Sequence, residues 1–263
     1  MPKTNSQDVE IAYEVYGEGE PLLCIMGLGG TKELWEPQIE GLQDKFRLFV
    51  FDNRGVGASA VPKSPWTMAD MARDAVAVLD AEGISSAHVL GVSMGGMIAQ
   101  HVALNHSERV RRLILAATTA GAFIAPPGPE MLQLLTGAGA KTPQEVARNS
   151  LRAMFTQEFI DREAEFCEKM MALQLRYLPP RRGFMGQMNA VMAHNTQGRL
   201  PEIIHETLVI TGDLDELVPP RNSEVLAAGI PQAKLKVIPG TAHGFFFDRA
   251  SDVNREVAAF LSA

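Results

Sequence analysis

Four short apolar runs constrain the fold of this chain more than any other sequence feature. They lie at residues 22–26, 48–51, 88–90 and 113–116. None shows the strict alternation of apolar and polar residues that marks a strand with one exposed face. Runs of this kind are typical of parallel strands that helices cover on both faces. We therefore predict an α/β fold with a mostly parallel sheet.

Further segments continue the alternation of strands and helices. Additional strands are predicted at residues 9–16, 208–211 and 235–238. The first of these has a period of two, which indicates a half-buried strand at the entrance to the sheet. Thr67 and Asp70 have the spacing of a capping box, so a helix is expected to start there and to stop at Gly83. An amphipathic pattern from Val253 to Leu261 predicts the last helix.

A segment rich in helix formers follows the Pro126-Pro-Gly-Pro129 sequence and interrupts this pattern. We expect an α/β core formed by residues 1–119 and 201–263, with residues 120–200 inserted as a helical cap, or lid. The methionines of the insertion are Met131, Met154, Met170, Met171, Met185, Met188 and Met192. Most are expected to pack in a core, and some are expected also to line an apolar pocket.

Charge and cysteine content exclude several classes of function. The net charge of −7 is spread without long blocks of like charge, so nucleic acid is not an expected partner. Cys24 and Cys167 are too few for a disulfide framework and lack metal-ligand spacing, so both are expected to be buried thiols. No stretch is long and apolar enough to span a bilayer. We expect a cytoplasmic protein with no membrane partner; its oligomeric state is not predicted.

The sequence Gly91-Val-Ser93-Met-Gly95 contains the strongest chemical signal. It follows a predicted strand and precedes a predicted helix, so Ser93 would occupy a sharp strand-to-helix turn. The two glycines leave room for a strained backbone that exposes the serine hydroxyl. Ser93 is therefore a candidate nucleophile, and it requires a base and a carboxylate that orients the base.

His243 is the candidate base, because it lies in a loop of small residues just after the predicted strand 235–238. The other five histidines are expected to be core or surface residues. For the acid, Asp213 and Asp215 compete after the strand 208–211. Asp213 could be a turn residue that bonds its own backbone, and residue chemistry alone leaves both open. In either case the chain order is serine, aspartate, histidine, which is typical of one fold.

These segments together resemble the α/β-hydrolase superfamily, and more closely its cap-bearing branch of esterases and 3-oxoadipate enol-lactonase-like enzymes. The similarity extends from about Val9 to Leu261. It rests on Met26-Gly-Leu-Gly-Gly30, on Asp52-Asn-Arg54-Gly-Val-Gly57-Ala-Ser59, on the serine turn, and on residues 212–219 with His243. In the family pattern the acid stands three residues before a Val-Pro pair, which implies that Asp215 rather than Asp213 is the acid.

The same resemblance implies an oxyanion hole formed by the backbone N–H groups of Leu28 and Met94. The family usually has His-Gly where this chain has Met26-Gly27, a difference that leaves backbone donors intact. Trp35 and Phe123 are candidate walls of the substrate pocket. Three polar residues of the second motif are interpreted as structural: Asp52, Arg54 and Ser59. Arg181 and Arg182 are interpreted as an exposed basic turn, with a substrate carboxylate as the alternative partner.

These residues predict a serine hydrolase that cleaves carboxylic esters of small apolar substrates through an acyl-enzyme. Alternatives on the same triad are an enol-lactone hydrolase, a carbon–carbon bond hydrolase or a cofactor-free perhydrolase. A non-catalytic ligand receptor of the same fold is a further alternative. Dehalogenases of this fold need an aspartate in place of Ser93, so dehalogenation is not expected. No cofactor or metal is expected, because neither ligand spacing nor a dinucleotide-binding glycine loop is present.

Overall fold

The computed structural model describes residues 1–122 and 124–263, and within these residues eight strands form one sheet. The strand order is β1-β2-β4-β3-β5-β6-β7-β8. The strands are β1 (Lys3–Ser6), β2 (Val9–Tyr16), β3 (Glu20–Ile25), β4 (Phe46–Phe51), β5 (Ala87–Val92), β6 (Val110–Ala116), β7 (Thr207–Gly212) and β8 (Ala233–Ile238). Strand β2 runs antiparallel to β1 and β4, and all other neighbouring pairs are parallel. The predicted fold class is confirmed.

Helices separate most of these strands. The α-helices are α1 (Glu36–Leu42), α2 (Met68–Ala81), α3 (Met94–Asn105), α4 (Pro129–Thr136), α5 (Pro143–Met154), α6 (Gln157–Arg162), α7 (Ala164–Arg176), α8 (Arg181–Ala193), α9 (Pro220–Gly229), α10 (Phe245–Asp248) and α11 (Ala250–Leu261). Short 3₁₀ helices span Lys32–Trp35, Ser107–Arg109 and Gln197–Glu202. Helix α2 begins at the predicted capping box, where Thr67 Oγ1 accepts from Asp70 N at 3.2 Å and Asp70 Oδ2 accepts from Thr67 N at 2.7 Å. It is followed by Gly83 at a φ of +67°.

Apolar clusters cover both faces of the sheet. Every residue of β5 is buried, as the non-alternating run at 88–90 predicted, and every residue of β7 is buried as well. On one face, Leu23 and Ile25 belong to a cluster that includes side chains of α2, α3 and α9. On the other face, Leu22 and Cys24 belong to a cluster with side chains of α1 and α11. Burial of these side chains is the main force that holds the layers together.

Five of the helices within the described residues, α4 to α8, lie between β6 and β7; we call them the inserted helices. They have a small apolar cluster of their own, which includes Leu151, Phe155 and Phe159. Helix α8 also packs directly on the rest of the chain. A Cβ atom at Gly183 would lie 1.8 Å from the carbonyl oxygen of Gly55, so the two backbones are in contact.

Several details differ from the expectations. Strand β1 was not predicted. It has only four residues, and because most of them are exposed they carry no apolar pattern. Among the methionines of the inserted helices, Met170 and Met188 are buried, whereas Met185 and Met192 are exposed. Cys24 and Cys167 are buried free thiols, as predicted. Within residues 1–122 and 124–263, no helix has the length and apolar character needed to cross a membrane.

Candidate active site

Ser93 occupies the sharp corner between β5 and α3, with φ 57° and ψ −122°. This left-handed conformation is unusual for a residue with a side chain, and the predicted strain is confirmed. A Cβ atom at Gly95 would lie 1.9 Å from the carbonyl oxygen of Ile25, and one at Gly91 would lie 2.2 Å from that of Gly95. The flanking glycines therefore permit the tight turn that presents the serine hydroxyl.

His243 and Asp215 form a buried hydrogen-bonded pair. His243 Nδ1 lies 2.8 Å from Asp215 Oδ2, and the two residues are 6% and 2% exposed. The other carboxylate oxygen, Oδ1, accepts from the backbone N–H groups of Leu217 at 2.9 Å and Val218 at 2.8 Å. Both carboxylate oxygens are thus fixed, and the aspartate orients the imidazole so that Nε2 is its other functional atom.

Asp213 has hydrogen-bond partners different from those of Asp215. Its Oδ1 accepts from the backbone N–H groups of Gly240 at 2.7 Å and Thr241 at 3.3 Å. The alternative that it bonds only its own turn is therefore wrong, since these partners belong to the loop that leads to His243. Asp213 ties the loop after β7 to the loop after β8, while Asp215 makes the contact with the imidazole.

Ser93 and His243 line one cavity of about 520 Å³ between the carboxyl ends of the strands and the inserted helices. Among the described residues no hydrogen bond joins the serine hydroxyl to the imidazole. Such bonds commonly tighten only when a substrate is bound. Most of the lining side chains are apolar, and the inserted helices contribute Leu135, Val146, Ala147, Ala153, Met154, Leu173 and Phe184.

The structure describes one of the two candidate residues of the substrate-pocket wall. Trp35 is fully buried, lines this cavity and packs edge-on against Phe246, with ring centroids 6.0 Å apart. Phe123 lies outside the described residues. Met26, which stands where the family usually has histidine, also lines the cavity. Of the methionines in the inserted helices, Met154 is the one found among the described lining residues, and the apolar part of this wall is otherwise leucine, valine, alanine and phenylalanine.

The backbone N–H groups of Leu28 and Met94 take part in none of the hydrogen bonds found among the described residues. Leu28 lies in the loop after β3, and this loop approaches the serine closely. A Cβ atom at Gly27 would lie 3.1 Å from the Cβ atom of Ser93. Two free donors near a candidate nucleophile have the composition of an oxyanion hole.

Gln187, a fully buried residue of α8, was missed by the sequence analysis. Its Oε1 accepts from Gly29 N at 2.9 Å, and its Nε2 donates to the Arg54 carbonyl oxygen at 2.9 Å. It therefore connects the loop after β3 to the turn after β4. No local pattern could have revealed this role, because an isolated glutamine in a helix carries no such signal.

The inserted helices also support the histidine loop. Gly244, next to His243, donates its N–H to the carbonyl oxygen of Met154 at 2.6 Å. A Cβ atom at Gly244 would lie 2.3 Å from the ring of Phe155. The end of α5 is therefore in contact with the loop that carries the imidazole.

The polar residues after β4 have structural contacts. Asp52 accepts from the N–H groups of Lys32 at 2.9 Å and Ala58 at 2.8 Å. Arg54 is buried and pairs with Asp74 through two contacts of 2.6 Å. Burial raises the pKa of Asp52 and of Asp74, and the hydrogen bonds to each carboxylate oppose that rise.

Ser59 completes this network, because its hydroxyl donates to the Asp52 carbonyl oxygen at 2.6 Å and accepts from Ala12 N at 2.9 Å. Of the two arginines at the start of α8, both exposed, Arg181 lines the cavity and Arg182 donates to the Lys63 carbonyl oxygen. Neither arginine forms an ion pair within the described part of the chain.

Comparison with known proteins gives consistent results. The family described as alpha/beta hydrolase fold matches residues 20–250. The "Putative carbamate hydrolase RutD" of Azorhizobium caulinodans is 31% identical over 93% of this chain and 92% of its own length. The poly(3-hydroxyalkanoate) depolymerase of Ectopseudomonas oleovorans is 33% identical over 92% and 84% of the two chains. The solved enol-lactonase of Burkholderia xenovorans LB400 superposes with a TM-score of 0.88 at 25% identity, over 100% of both chains.

Proposed function

The chain belongs to the alpha/beta hydrolase family, and from this premise we propose that it is a serine hydrolase that cleaves carboxylic esters of small apolar substrates. The hydrolase class follows from the family and its relatives. The observation that carries the finer proposal is the 2.8 Å contact between His243 Nδ1 and Asp215 Oδ2, in a cavity that Ser93 also lines.

In the proposed reaction, Ser93 Oγ attacks the ester carbonyl carbon and His243 Nε2 takes the hydroxyl proton. Asp215 holds the imidazole and stabilises its protonated form. The carbonyl oxygen becomes an oxyanion that the N–H groups of Leu28 and Met94 stabilise. When the tetrahedral intermediate collapses, His243 gives the proton to the leaving alkoxide, and the acyl group remains on Ser93.

The second half-reaction repeats these roles with water. His243 removes a proton from the water, whose oxygen attacks the acyl carbon, and the ester bond to Ser93 breaks. The imidazole returns the proton to the serine oxygen, so that the free acid leaves and the enzyme is regenerated. No cofactor takes part in this proposal.

We propose further that residues 120–200 act as a cap over the strand ends. The support is that the inserted helices supply much of the cavity wall and contact the loop after β3 through Gln187. We also propose a cytoplasmic location, since Cys24 and Cys167 are free thiols and free thiols are typical of reducing compartments.

A carbamate is the second candidate substrate class, favoured by the name of the relative from Azorhizobium caulinodans. Its hydrolysis would use the same nucleophile, base and oxyanion donors. A panel of matched esters, lactones and carbamates, compared by kcat/KM, would rank the candidates.

The direct test is turnover of p-nitrophenyl butyrate by wild type, Ser93→Ala and His243→Ala. We expect each variant to lose at least about 10³-fold in kcat, because nucleophile and base act as one unit. Circular dichroism would show that the variants fold. Equal rates for wild type and Ser93→Ala would overturn the proposal.

A further inference from the structure

Two polar side chains face each other in the apolar wall that the inserted helices contribute. Ser150 belongs to α5 and Gln174 to α7, and both line the cavity that contains Ser93 and His243. Gln174 Nε2 donates to Ser150 Oγ at 3.1 Å. The other residues of α5 and α7 that line the cavity are apolar, so this pair is a local polar spot in an apolar surface.

The pair has unused hydrogen-bonding capacity. Gln174 Oε1 is buried and has no hydrogen-bond partner. The Ser150 hydroxyl accepts from Gln174 but donates to no residue in the described part of the chain. A buried acceptor without a donor destabilises a folded protein. The Ser150 hydroxyl proton is therefore left for a group inside the cavity, and a turn of the Gln174 amide, on a residue that lines the same cavity, brings its buried oxygen to that group.

The chemistry of the pair selects the kind of group that fits. A hydroxyl both donates and accepts, so it can donate to Gln174 Oε1 and accept from Ser150. A carboxylate cannot donate, and its charge would face the glutamine oxygen. An ammonium would lack a counter-ion, because none of the described lining residues is acidic. An alkyl end would cover the glutamine oxygen without bonding it.

We propose that Ser150 and Gln174 form a specificity subsite for a substrate hydroxyl remote from the carbonyl that is cleaved. The inference rests on the proposed serine hydrolase function and narrows its substrate class to hydroxy-substituted esters. Arg181, the charged residue of α8 that lines the cavity, lies outside this pair. The pair itself therefore recognises a neutral polar group.

The test uses two matched series of esters, with four to eight carbon atoms between the ester and the chain end. One series ends in a hydroxyl and the other in a methyl group, with the chain placed on the acyl side in one set and on the alcohol side in another. Acid release is followed by pH-stat. The measured quantity is the ratio of kcat/KM for the hydroxyl-ended ester to that for its methyl-ended partner.

Gln174→Met keeps the length and volume of the side chain but removes the acceptor. We expect it to lower this ratio at least about 10-fold at the chain length where wild type gives its highest ratio, since an unpaired substrate hydroxyl is then buried. Ser150→Ala should lower the ratio at the same length. Gln133→Met, on α4 and exposed, is the matched control and should leave the ratio unchanged.

Two results would overturn the subsite. One is a ratio that Gln174→Met leaves unchanged at every chain length, with wild-type activity on the methyl-ended esters retained. The other is a preference of wild type for a carboxylate-ended series over the hydroxyl-ended one. Failure of the serine hydrolase proposal is a separate result, because Ser93→Ala would then match wild type on the methyl-ended esters.

Discussion

Gln187 accepts a hydrogen bond from the backbone N–H of Gly29 at 2.9 Å, although 158 positions separate the two residues. The glutamine lies on α8, and the glycine follows Leu28, whose N–H is a proposed oxyanion donor. The other end of the glutamine amide donates to the Arg54 carbonyl oxygen. The inserted helices therefore help to position the loop on which catalysis is proposed to depend.

Replacement of Gln187 by leucine is expected to lower kcat of ester hydrolysis at least about 10-fold with a smaller change in KM. The N–H of Gly29 loses its acceptor, and a displaced Leu28 N–H stabilises the oxyanion less well. Steady-state kinetics on p-nitrophenyl butyrate measure the effect. Gln133→Leu, the same change at an exposed position of α4, should keep wild-type kinetics. A Gln187→Leu enzyme with unchanged kcat would show that the loop does not need this contact.

The contact of α8 with the turn after β4 predicts a stability effect. Gly183→Ala would place a Cβ atom 1.8 Å from the Gly55 carbonyl oxygen, so the helix must move. We expect a loss of roughly 1–3 kcal/mol in the free energy of unfolding, as for overpacked sites. Urea denaturation measures it. At Gly198, where an added Cβ atom meets nothing within 4 Å, alanine should have little effect. Equal stabilities of the two variants would argue against close packing of α8.

The sequence predicted those parts of the fold and site that depend on local physics. Non-alternating apolar runs identified the buried strands, and the capping box at Thr67 and Asp70 identified the start of α2. The spacing of Gly91, Ser93 and Gly95 predicted the strained turn, because a Cβ atom at Gly91 would clash with the Gly95 carbonyl oxygen only four residues away.

No local sequence pattern predicted the contacts between segments that are far apart in the chain. The bond from Gly29 to Gln187 depends on how α8 packs, and no pattern near either residue encodes it. The hydrogen bonds of Asp213 were not predicted for the same reason, since its partners Gly240 and Thr241 lie on another loop. The polar pair Ser150 and Gln174 is visible only when α5 and α7 are placed side by side.

The two aspartates after β7 should differ strongly in their effect on rate. Asp215→Asn is expected to reduce kcat by about 10³–10⁴-fold, because an amide cannot hold the imidazole in the required tautomer or stabilise its protonated form. Asp213→Asn keeps an acceptor oxygen for Gly240 N and Thr241 N, so less than about a 10-fold loss is expected. Parallel kinetics of the two variants provide the comparison. A larger loss for Asp213→Asn would reverse the assignment of the acid.

His194 predicts a dependence of stability on pH. The ring centroids of His194 and His101 are 5.5 Å apart, and His194 is 4% exposed. Burial, together with the neighbouring His101, lowers the pKa of His194 to about 4. Burial and the nearby Arg199 likewise lower the pKa of His101 to about 4. Between pH 6.5 and 4 the unfolded chain thus binds protons at these sites that the folded chain does not.

The free energy of unfolding should consequently fall as the pH decreases from about 6.5 to 4, by about 2–3 kcal/mol from His194 and by less from the more exposed His101. Urea denaturation from pH 4 to 7 measures this for wild type and His194→Gln. The variant removes one of the two groups, so its stability should decrease less over this range. Parallel curves for both proteins would contradict the contribution of His194.

Covalent labelling with a fluorophosphonate tests the proposed nucleophile itself, because the oxygen of a serine that a neighbouring base activates attacks the phosphorus atom and displaces fluoride. The adduct is located by mass spectrometry of peptides. We expect one adduct, on Ser93, that is absent in Ser93→Ala and strongly reduced in His243→Ala. An unlabelled wild-type protein, or a label on another residue that persists in Ser93→Ala, would contradict it.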